Sequence, residues 1–217
     1  MAAHERARAS SARQILFAGL EMNLPNKLTV SRFGLTVAFL IAFFTEAIPY
    51  HETLALVFFC LGGITDWVDG EMARRRKLIT NFGILMDPLA DKILVCSAFI
   101  AFVEGGLIEA WIVVVIVARE LAITGLRLLA ASKNQVLAAE GLGKHKTISQ
   151  ITTIIAILVL LAHPQWGAFG KLFAFEMFGR AWVAWFAIVS KWLTVLLTIF
   201  SGGMYLWRNR AAYLDEC

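Results

Sequence analysis

Six long apolar segments dominate this sequence, at about residues 28–48, 53–73, 83–104, 107–130, 147–165 and 181–207. Each has about the 20 residues that an α-helix needs to cross the hydrocarbon core of a bilayer. Hydrophobic residues make up 59% of the chain, and its mean hydropathy is +0.71. An average soluble domain is only about 45–50% apolar. The pattern predicts an all-α integral membrane protein with six transmembrane helices.

Lysine and arginine are unevenly distributed among the connections between these segments. They cluster before the first segment, between the second and third, between the fourth and fifth, and after the sixth. The connections at residues 46–52 and 104–109 contain neither. Because cytoplasmic loops are enriched in Lys and Arg, this asymmetry predicts that both termini face the cytosol. It also accounts for the net charge of +4, so no nucleic-acid partner is expected.

The two ends of the chain are predicted to be tails around one membrane domain. We assign residues 1–22 to a cytosolic tail with an interfacial amphipathic helix, residues 23–210 to the membrane domain and residues 211–217 to a C-terminal tail. The N-terminus lacks the pattern of a cleaved secretory signal. Its Ala, Arg and Ser content is also typical of a mitochondrial transit peptide, although a bacterial cytoplasmic membrane is the favoured location.

Four aspartates interrupt the apolar pattern at the cytosolic ends of the second and third segments. Asp66 and Asp69 are three residues apart, and Asp87 and Asp91 are four apart, so each pair shares a helix face. If the two helices pack as an antiparallel hairpin, the four carboxylates converge, and cations must then offset their repulsion. All-oxygen ligands favour Mg²⁺ or Mn²⁺, and two such ions form a clamp for displacement at phosphorus.

Residues beside the first aspartate pair suit a nucleotide phosphate. Gly70 removes a side chain where a ligand could approach the backbone, and Arg74 carries a planar donor fork for phosphate. Gly83 opens the third segment with the same lack of bulk. The alternative is that the glycines ease helix packing and that the basic residues only anchor the loop to anionic lipid.

The segment that holds the four aspartates resembles the signature of the CDP-alcohol phosphotransferase family. It reads D-W-V-D-G-E-M-A-R from Asp66 to Arg74, followed after eight residues by Gly83 and then by Asp87 and Asp91. None of the fixed positions departs from the family pattern. Eight specified residues at fixed spacing arise by chance with a frequency on the order of 10⁻¹⁰ per start position, so the motif is specific.

Four further stretches resemble the branch of this family that uses glycerol 3-phosphate as its acceptor. They lie at about residues 23–32, 87–92, 118–127 and 143–147. The resemblance implies that a glycerol 3-phosphate hydroxyl attacks the lipid-linked β-phosphorus of CDP-diacylglycerol and expels CMP. The enzyme would make a precursor of phosphatidylglycerol and cardiolipin at the cytosolic face of the membrane, and a homodimer is compatible with this interpretation.

The resemblance also implies roles for individual residues. Asp66, Asp69, Asp87 and Asp91 would hold two divalent cations, and Asp91 would also be the general base. The residues implied in binding the donor lie at the cytosolic ends of the first three segments. They are Asn26, Thr29, Arg32, Asp69, Gly70, Ala73, Arg74, Thr80 and Gly83.

The acceptor needs cations of its own, because glycerol 3-phosphate is an anion. Arg119 lies within the fourth segment and Arg127 near its cytosolic end, while Lys144 and Lys146 begin the fifth. These four residues are the candidates for binding the acceptor phosphate. The alternative is an interfacial anchor for the last three, and pairing with Glu120 or another buried acid for Arg119.

Two other interpretations stay open. Intramembrane aspartates also mark ion pathways, but here they cluster at one cytosolic mouth, which argues against a transporter or channel. Within the family, the acceptor could instead be phosphatidylglycerol or an inositol phosphate. The cationic cluster argues against zwitterionic and neutral acceptors, and the residues do not distinguish Mg²⁺ from Mn²⁺.

Overall fold

Six long α-helices make up most of the part of the chain that the structure describes. The computed structural model describes the backbone of residues 24–76, 81–132 and 141–210, and the side chains of residues 30–65, 92–131 and 143–210. The helices are α1 Leu24–Phe44, α2 His51–Arg76, α3 Asn81–Glu104, α4 Ala110–Ser132, α5 Gly141–Ala162 and α6 Trp182–Arg208. Each overlaps one predicted apolar segment along most of its length, so the helical class is confirmed. The predicted interfacial helix in residues 1–22 and the C-terminal tail lie outside the described residues.

Two helix ends differ from the predicted boundaries for local backbone reasons. α1 ends at Phe44, about four residues early, because Pro49 follows and disfavours helix in the residue before it. Tyr50 then adopts a positive φ of 57°, which reverses the chain into α2. α4 begins at Ala110 because Gly106, with φ of 67°, first turns the chain out of α3.

The connection between α5 and α6 contains structure that hydropathy did not predict. Two short 3₁₀ helices, His163–Trp166 and Phe169–Leu172, precede an antiparallel pair of strands, β1 Glu176–Met177 and β2 Arg180–Ala181. The two residues between the strands both have positive φ, which is the geometry of a tight two-residue hairpin. The hairpin leads directly into α6.

The directions of the helices alternate as expected for an up-and-down bundle. α1 packs against α2 and α3, α5 against α2 and α6, and α4 against α3 and α6. α4 and α6 run parallel, since Glu109 contacts Lys191 near their N-terminal ends while Arg127 contacts Tyr205 near their C-terminal ends.

Aromatic side chains fill the centre of the bundle. Phe39 of α1, Phe59 of α2, and Phe99 and Phe102 of α3 are all nearly inaccessible to solvent. The rings of Phe39 and Phe59 lie 6.1 Å apart, and those of Phe99 and Phe102 lie 6.5 Å apart, both in edge-on geometry. The rings of Phe43 of α1 and Phe102 also lie 5.7 Å apart, so aromatic contacts join α1 to both α2 and α3.

The distribution of side chains on α6 is the reverse of that in a soluble helix. Its buried face carries small polar residues, including Ser190, Thr194 and Thr198. Its outer face carries large apolar residues, of which Leu196 is 64% and Phe200 61% exposed. Small residues at helix contacts and apolar residues on the outside are typical of helices packed within lipid.

Two helical segments are long and apolar enough to cross a membrane among the described residues. They are Gly143–Trp166 and Trp182–Arg208, and shorter apolar stretches occupy Val30–Phe44 and His51–Thr65. Only 33% of the most apolar window of α6 is buried, so it is not the core helix of a soluble protein. Its exposed apolar face therefore indicates contact with a bilayer.

Candidate functional site

The four aspartates occupy the paired ends of two consecutive helices. Asp66 and Asp69 lie in the last three turns of α2, and Asp87 and Asp91 in the first three turns of α3. Asp66 and Asp91 are each ten residues from the helix end that faces the connection, which is about 15 Å along either axis. Asp69 and Asp87 are seven and six residues from the same ends. The two pairs therefore lie at similar distances along their helices from the connection between α2 and α3.

The side chains of these aspartates lie outside the described residues, so the convergence of their carboxylates remains a prediction. The donor set fits divalent cations, because four carboxylates at similar distances from the connection between two consecutive helices supply only hard oxygen ligands. Among the described side chains, no group of His, Cys, Asp or Glu could hold a metal. The four aspartates are not among these side chains.

Arg32 is the one predicted donor-binding residue whose side chain the structure describes. It is only 5% exposed within α1, and the hydroxyl of Thr36 donates to its carbonyl oxygen at 2.9 Å. Arg32 also lines a largely apolar cavity of about 380 Å³ together with Gly62 of α2 and Leu94 of α3. The other predicted donor-binding side chains lie outside the described part, namely Asn26, Thr29, Asp69, Gly70, Ala73, Arg74, Thr80 and Gly83.

A buried carboxylate in the middle of α4 gathers cations from three helices. Glu120 is 2% exposed, and its Oε1 accepts a hydrogen bond from Lys146 of α5. Its Oε2 lies 3.3 Å from the ammonium of Lys92 on α3, and Arg119 places Nη1 3.3 Å from Oε1. Gln150 of α5 adds a long contact to Oε1 at 3.5 Å. We call Glu120, Lys92, Arg119 and Lys146 the Glu120 cluster.

The charges of the Glu120 cluster do not balance among the described residues. Three cations face one carboxylate, and Lys146 is only 1% exposed. Charged groups buried in an apolar bundle are costly unless neighbouring charge offsets them. Positive charge therefore exceeds negative charge within these four side chains, and Asp91 directly precedes Lys92 in the chain.

Arg119 is held from two sides. Its Nη2 donates to Ser201 of α6 at 3.3 Å, while Nη1 faces Glu120. Its Nε is buried and donates no hydrogen bond among the described residues. Gly202 packs against its stem, since a Cβ there would lie 2.9 Å from Arg119 Cγ. The pairing with Glu120 that the sequence left as an alternative is thus present, and Arg119 retains donors beyond it.

The other two predicted acceptor-binding residues lie apart from this cluster. Arg127 is two turns further along α4, where its Nε donates to Tyr205 OH at 3.3 Å and its guanidinium lies 5.5 Å from the centre of that ring. Lys144 is exposed at the start of α5. The structure therefore joins Arg119 with Lys146 and does not join Arg127 or Lys144 to them.

Sequence reasoning missed three polar residues of this region. Lys92, Gln150 and Tyr205 were not assigned roles, and Glu120 was considered only as a partner for Arg119. A signal for Glu120 exists, because a carboxylate inside an otherwise apolar segment needs a partner. Its actual partners come from segments far apart in the chain, so local spacing could not identify them.

Comparison with known proteins gives a consistent family relationship. The family model described as CDP-alcohol phosphatidyltransferase matches residues 22–200. A Bacillus subtilis (strain 168) protein named CDP-diacylglycerol--glycerol-3-phosphate 3-phosphatidyltransferase is 40% identical over 198 residues, which cover 86% of this chain and 95% of the relative. The Escherichia coli (strain K12) protein of the same name is 30% identical over 203 residues, covering 91% of this chain and 100% of the relative.

Proposed function

The chain belongs to the CDP-alcohol phosphatidyltransferase family, and from that premise we propose that it transfers a phosphatidyl group from CDP-diacylglycerol to glycerol 3-phosphate. The products are phosphatidylglycerophosphate and CMP, and the reaction belongs to phospholipid biosynthesis. The observation that carries the choice of an anionic acceptor is the Glu120 cluster, which brings three cations from three helices to one buried site. The relatives from both bacteria are named for the same reaction.

The four aspartates form the reaction centre. Asp66, Asp69, Asp87 and Asp91 would hold two divalent cations, Mg²⁺ or Mn²⁺, which would supply positive charge to offset the negative charge of the pyrophosphate. Asp91 accepts the proton of the glycerol 3-phosphate hydroxyl as that oxygen attacks the lipid-linked phosphorus. The bond from this phosphorus to the CMP oxygen breaks, and CMP leaves. The similar distances of the two aspartate pairs from the connection between α2 and α3 support this arrangement.

The donor lies between the cytosolic ends of α1, α2 and α3. Arg74 binds its phosphates through a planar pair of donors, and Gly70 leaves room for the nucleotide beside the backbone. Asn26, Thr29 and Arg32 complete the pocket from α1. The apolar cavity beside Arg32 suits the diacylglycerol end of the donor, because its remaining lining is almost entirely hydrocarbon.

The acceptor phosphate binds on the other side of the aspartates, at the cations of α4 and α5. Lys92 directly follows Asp91 in α3 and contacts Glu120 of α4. The Glu120 cluster therefore adjoins the helix turn that carries the proposed base. Arg119 and Lys146 belong to this cluster, and Arg127 and Lys144 provide positive charge along the route from the cytosol.

All six helices span the membrane, with both termini and the reaction centre on the cytosolic side. The parallel course of α4 and α6 supports this topology, since both would then run from the outer to the cytosolic face. The basic connection after α2 supports the same orientation. The bacterial cytoplasmic membrane is the proposed location, and a homodimer is the proposed assembly.

An acceptor screen tests the proposal. Purified protein in detergent micelles would receive CDP-diacylglycerol, Mg²⁺ or Mn²⁺, and one of three labelled acceptors, namely glycerol 3-phosphate, inositol phosphate or phosphatidylglycerol. We expect labelled phospholipid with glycerol 3-phosphate alone. Faster turnover with either of the other two acceptors would assign the chain to a different branch of the family.

A further inference from the structure

Glu120 occupies a position that no step of the proposed reaction requires. Its carboxylate is nearly inaccessible, and a carboxylate repels an acceptor phosphate, so it is not a ligand of that phosphate. It nevertheless contacts cations on α3, on its own helix α4 and on α5. A group that joins three helices through three cations acts on the site through those cations.

We propose that Glu120 is a positioning residue, which holds Lys92, Arg119 and Lys146 in one arrangement that fits the acceptor phosphate. This inference rests on the proposed function and adds to it a residue that sets the affinity for the acceptor. The carboxylate holds the three cations close together, whereas their mutual repulsion alone would push them apart. The carboxylate lowers that repulsion without neutralising the cluster.

The cluster offers an acceptor phosphate both positive charge and hydrogen-bond donors. Lys92, Arg119 and Lys146 bring three cations to one carboxylate, and Asp91 directly precedes Lys92 in the chain. A phosphate monoester has a charge of about −1.5 to −2 near neutral pH. Arg119 also keeps donors for it, because its guanidinium uses Nη1 and Nη2 for Glu120 and Ser201 while Nε has no acceptor among the described residues.

The cluster also connects the acceptor to the proposed base. Lys92 follows Asp91 in the sequence, so the contact of Lys92 with Glu120 fixes this turn of α3 against α4. Loss of the carboxylate would release Lys92 and Arg119 from their common partner. The acceptor phosphate would then meet cations that are no longer held at a fixed spacing, and its binding would weaken.

The experiment compares Glu120→Gln with the matched control Glu109→Gln. Glu109 lies just before α4 and also forms an ion pair, with Lys191 of α6, at the opposite end of the bundle. We expect Glu120→Gln to raise the KM for glycerol 3-phosphate at least tenfold while the KM for CDP-diacylglycerol changes less than twofold. Glu109→Gln should leave both KM values unchanged. Equal increases for both substrates, or no increase for either, would overturn the proposal.

A conservative variant separates positioning from stability. Glu120→Asp keeps the charge but shortens the side chain by one methylene, so it should restore part of the glycerol 3-phosphate affinity that Glu120→Gln loses. If Glu120→Gln does not fold, Glu120→Asp decides the question alone. A selective rise in the KM for glycerol 3-phosphate would support positioning, and parent kinetics would overturn it.

Failure of the proposed function would look different. In that case the parent protein and Glu109→Gln would also fail to release CMP when glycerol 3-phosphate is added.

Discussion

An arginine and a lysine bind phosphate differently. Arg74 is the proposed ligand of the donor phosphates, so its replacement by lysine should change the kinetics for CDP-diacylglycerol. Its guanidinium presents two parallel donors, whereas a lysine offers one point charge. We expect Arg74→Lys to raise the KM for CDP-diacylglycerol about tenfold and to leave that for glycerol 3-phosphate unchanged. Arg75→Lys is the matched control, because Arg75 is the next residue of α2 and has no proposed role in binding the donor. Unchanged donor kinetics in Arg74→Lys would assign Arg74 to the same anchoring role.

Arg127 provides a second residue-scale test, on the acceptor side. Replacement by Ala removes one positive charge on the proposed route from the cytosol, so the KM for glycerol 3-phosphate should rise about two- to fivefold, less than in Glu120→Gln. The KM for CDP-diacylglycerol should change little. Steady-state kinetics on a variant with parent-like thermal unfolding would measure both.

Arg180→Ala is the matched control for this variant. Arg180 also lies over an aromatic ring, 6.0 Å from the centre of Trp185, but near the opposite end of α6. Its replacement should leave both KM values unchanged. If Arg127→Ala affects the two substrates equally, Arg127 has a structural or interfacial role instead.

The sequence identifies some site residues and not others for a physical reason. Asp66 and Asp69 share a helix face by their spacing, so one helix suffices to predict their proximity. Glu120, by contrast, meets Lys92 and Lys146 only after three helices have packed. Long-range packing of this kind leaves no periodic mark in the sequence.

At the scale of elements, two adjacent glycines of α6 differ in the space available for a side chain. A Cβ on Gly202 would lie 2.9 Å from Arg119 Cγ, whereas a Cβ on Gly203 would meet nothing within 4 Å. Overpacking of this kind costs about 1–3 kcal/mol. Gly202→Ala should therefore displace Arg119 and raise the KM for glycerol 3-phosphate at least roughly fivefold. Gly203→Ala should leave it unchanged, and equal kinetics in the two variants would contradict the contact between α4 and α6.

The ion pair between α4 and α6 predicts a dependence of stability on pH. Hydrogen bonds from Lys191 to both carboxylate oxygens, at 3.0 and 2.8 Å, lower the pKa of Glu109 below its ordinary value. Because the pKa of Glu109 is lower in the folded than in the unfolded state, its ionised carboxylate stabilises the fold at pH values above the ordinary pKa. This contribution is lost as the pH falls through the folded-state pKa. The effect is small because Glu109 is half exposed.

Thermal unfolding of the parent and of Glu109→Gln measures this contribution. The parent should unfold at a higher temperature at about pH 7, and the difference should shrink by about pH 4, where Glu109 becomes protonated. A difference that stays constant across this range would show that the ion pair does not stabilise the fold.

Hydropathy predicts where these helices lie but not how they face one another. The apolar runs located all six, while the buried face of α6 consists partly of Ser190, Thr194 and Thr198, which hydropathy scores as unfavourable. Thr194 and Thr153 of α5 share a hydrogen bond at 2.9 Å, so polarity here serves helix contact. The short strands after α5 were missed because two-residue pairs leave no pattern of alternation.

At the scale of the whole molecule, the outer surface of the bundle differs from its interior in charge and polarity. Its outer face is largely apolar, and the cations of the Glu120 cluster lie inside, where Lys92 directly follows Asp91 in the middle of α3. In the proposed orientation, a lipid donor approaches from the bilayer and a charged acceptor from the cytosol. The charge asymmetry of the loops predicts this orientation, which stays a prediction, whereas the neighbours of each helix are known only from the packing.

The most direct test of the account measures both products of the reaction in one assay. Purified protein in detergent micelles, with CDP-diacylglycerol and labelled glycerol 3-phosphate, should form labelled lipid and CMP in equal amounts. Turnover should require Mg²⁺ or Mn²⁺, stop in excess chelator and be lost in a folded Asp87→Asn variant. Undiminished turnover in chelator, or CMP released without labelled lipid, would contradict a two-metal transfer to glycerol 3-phosphate.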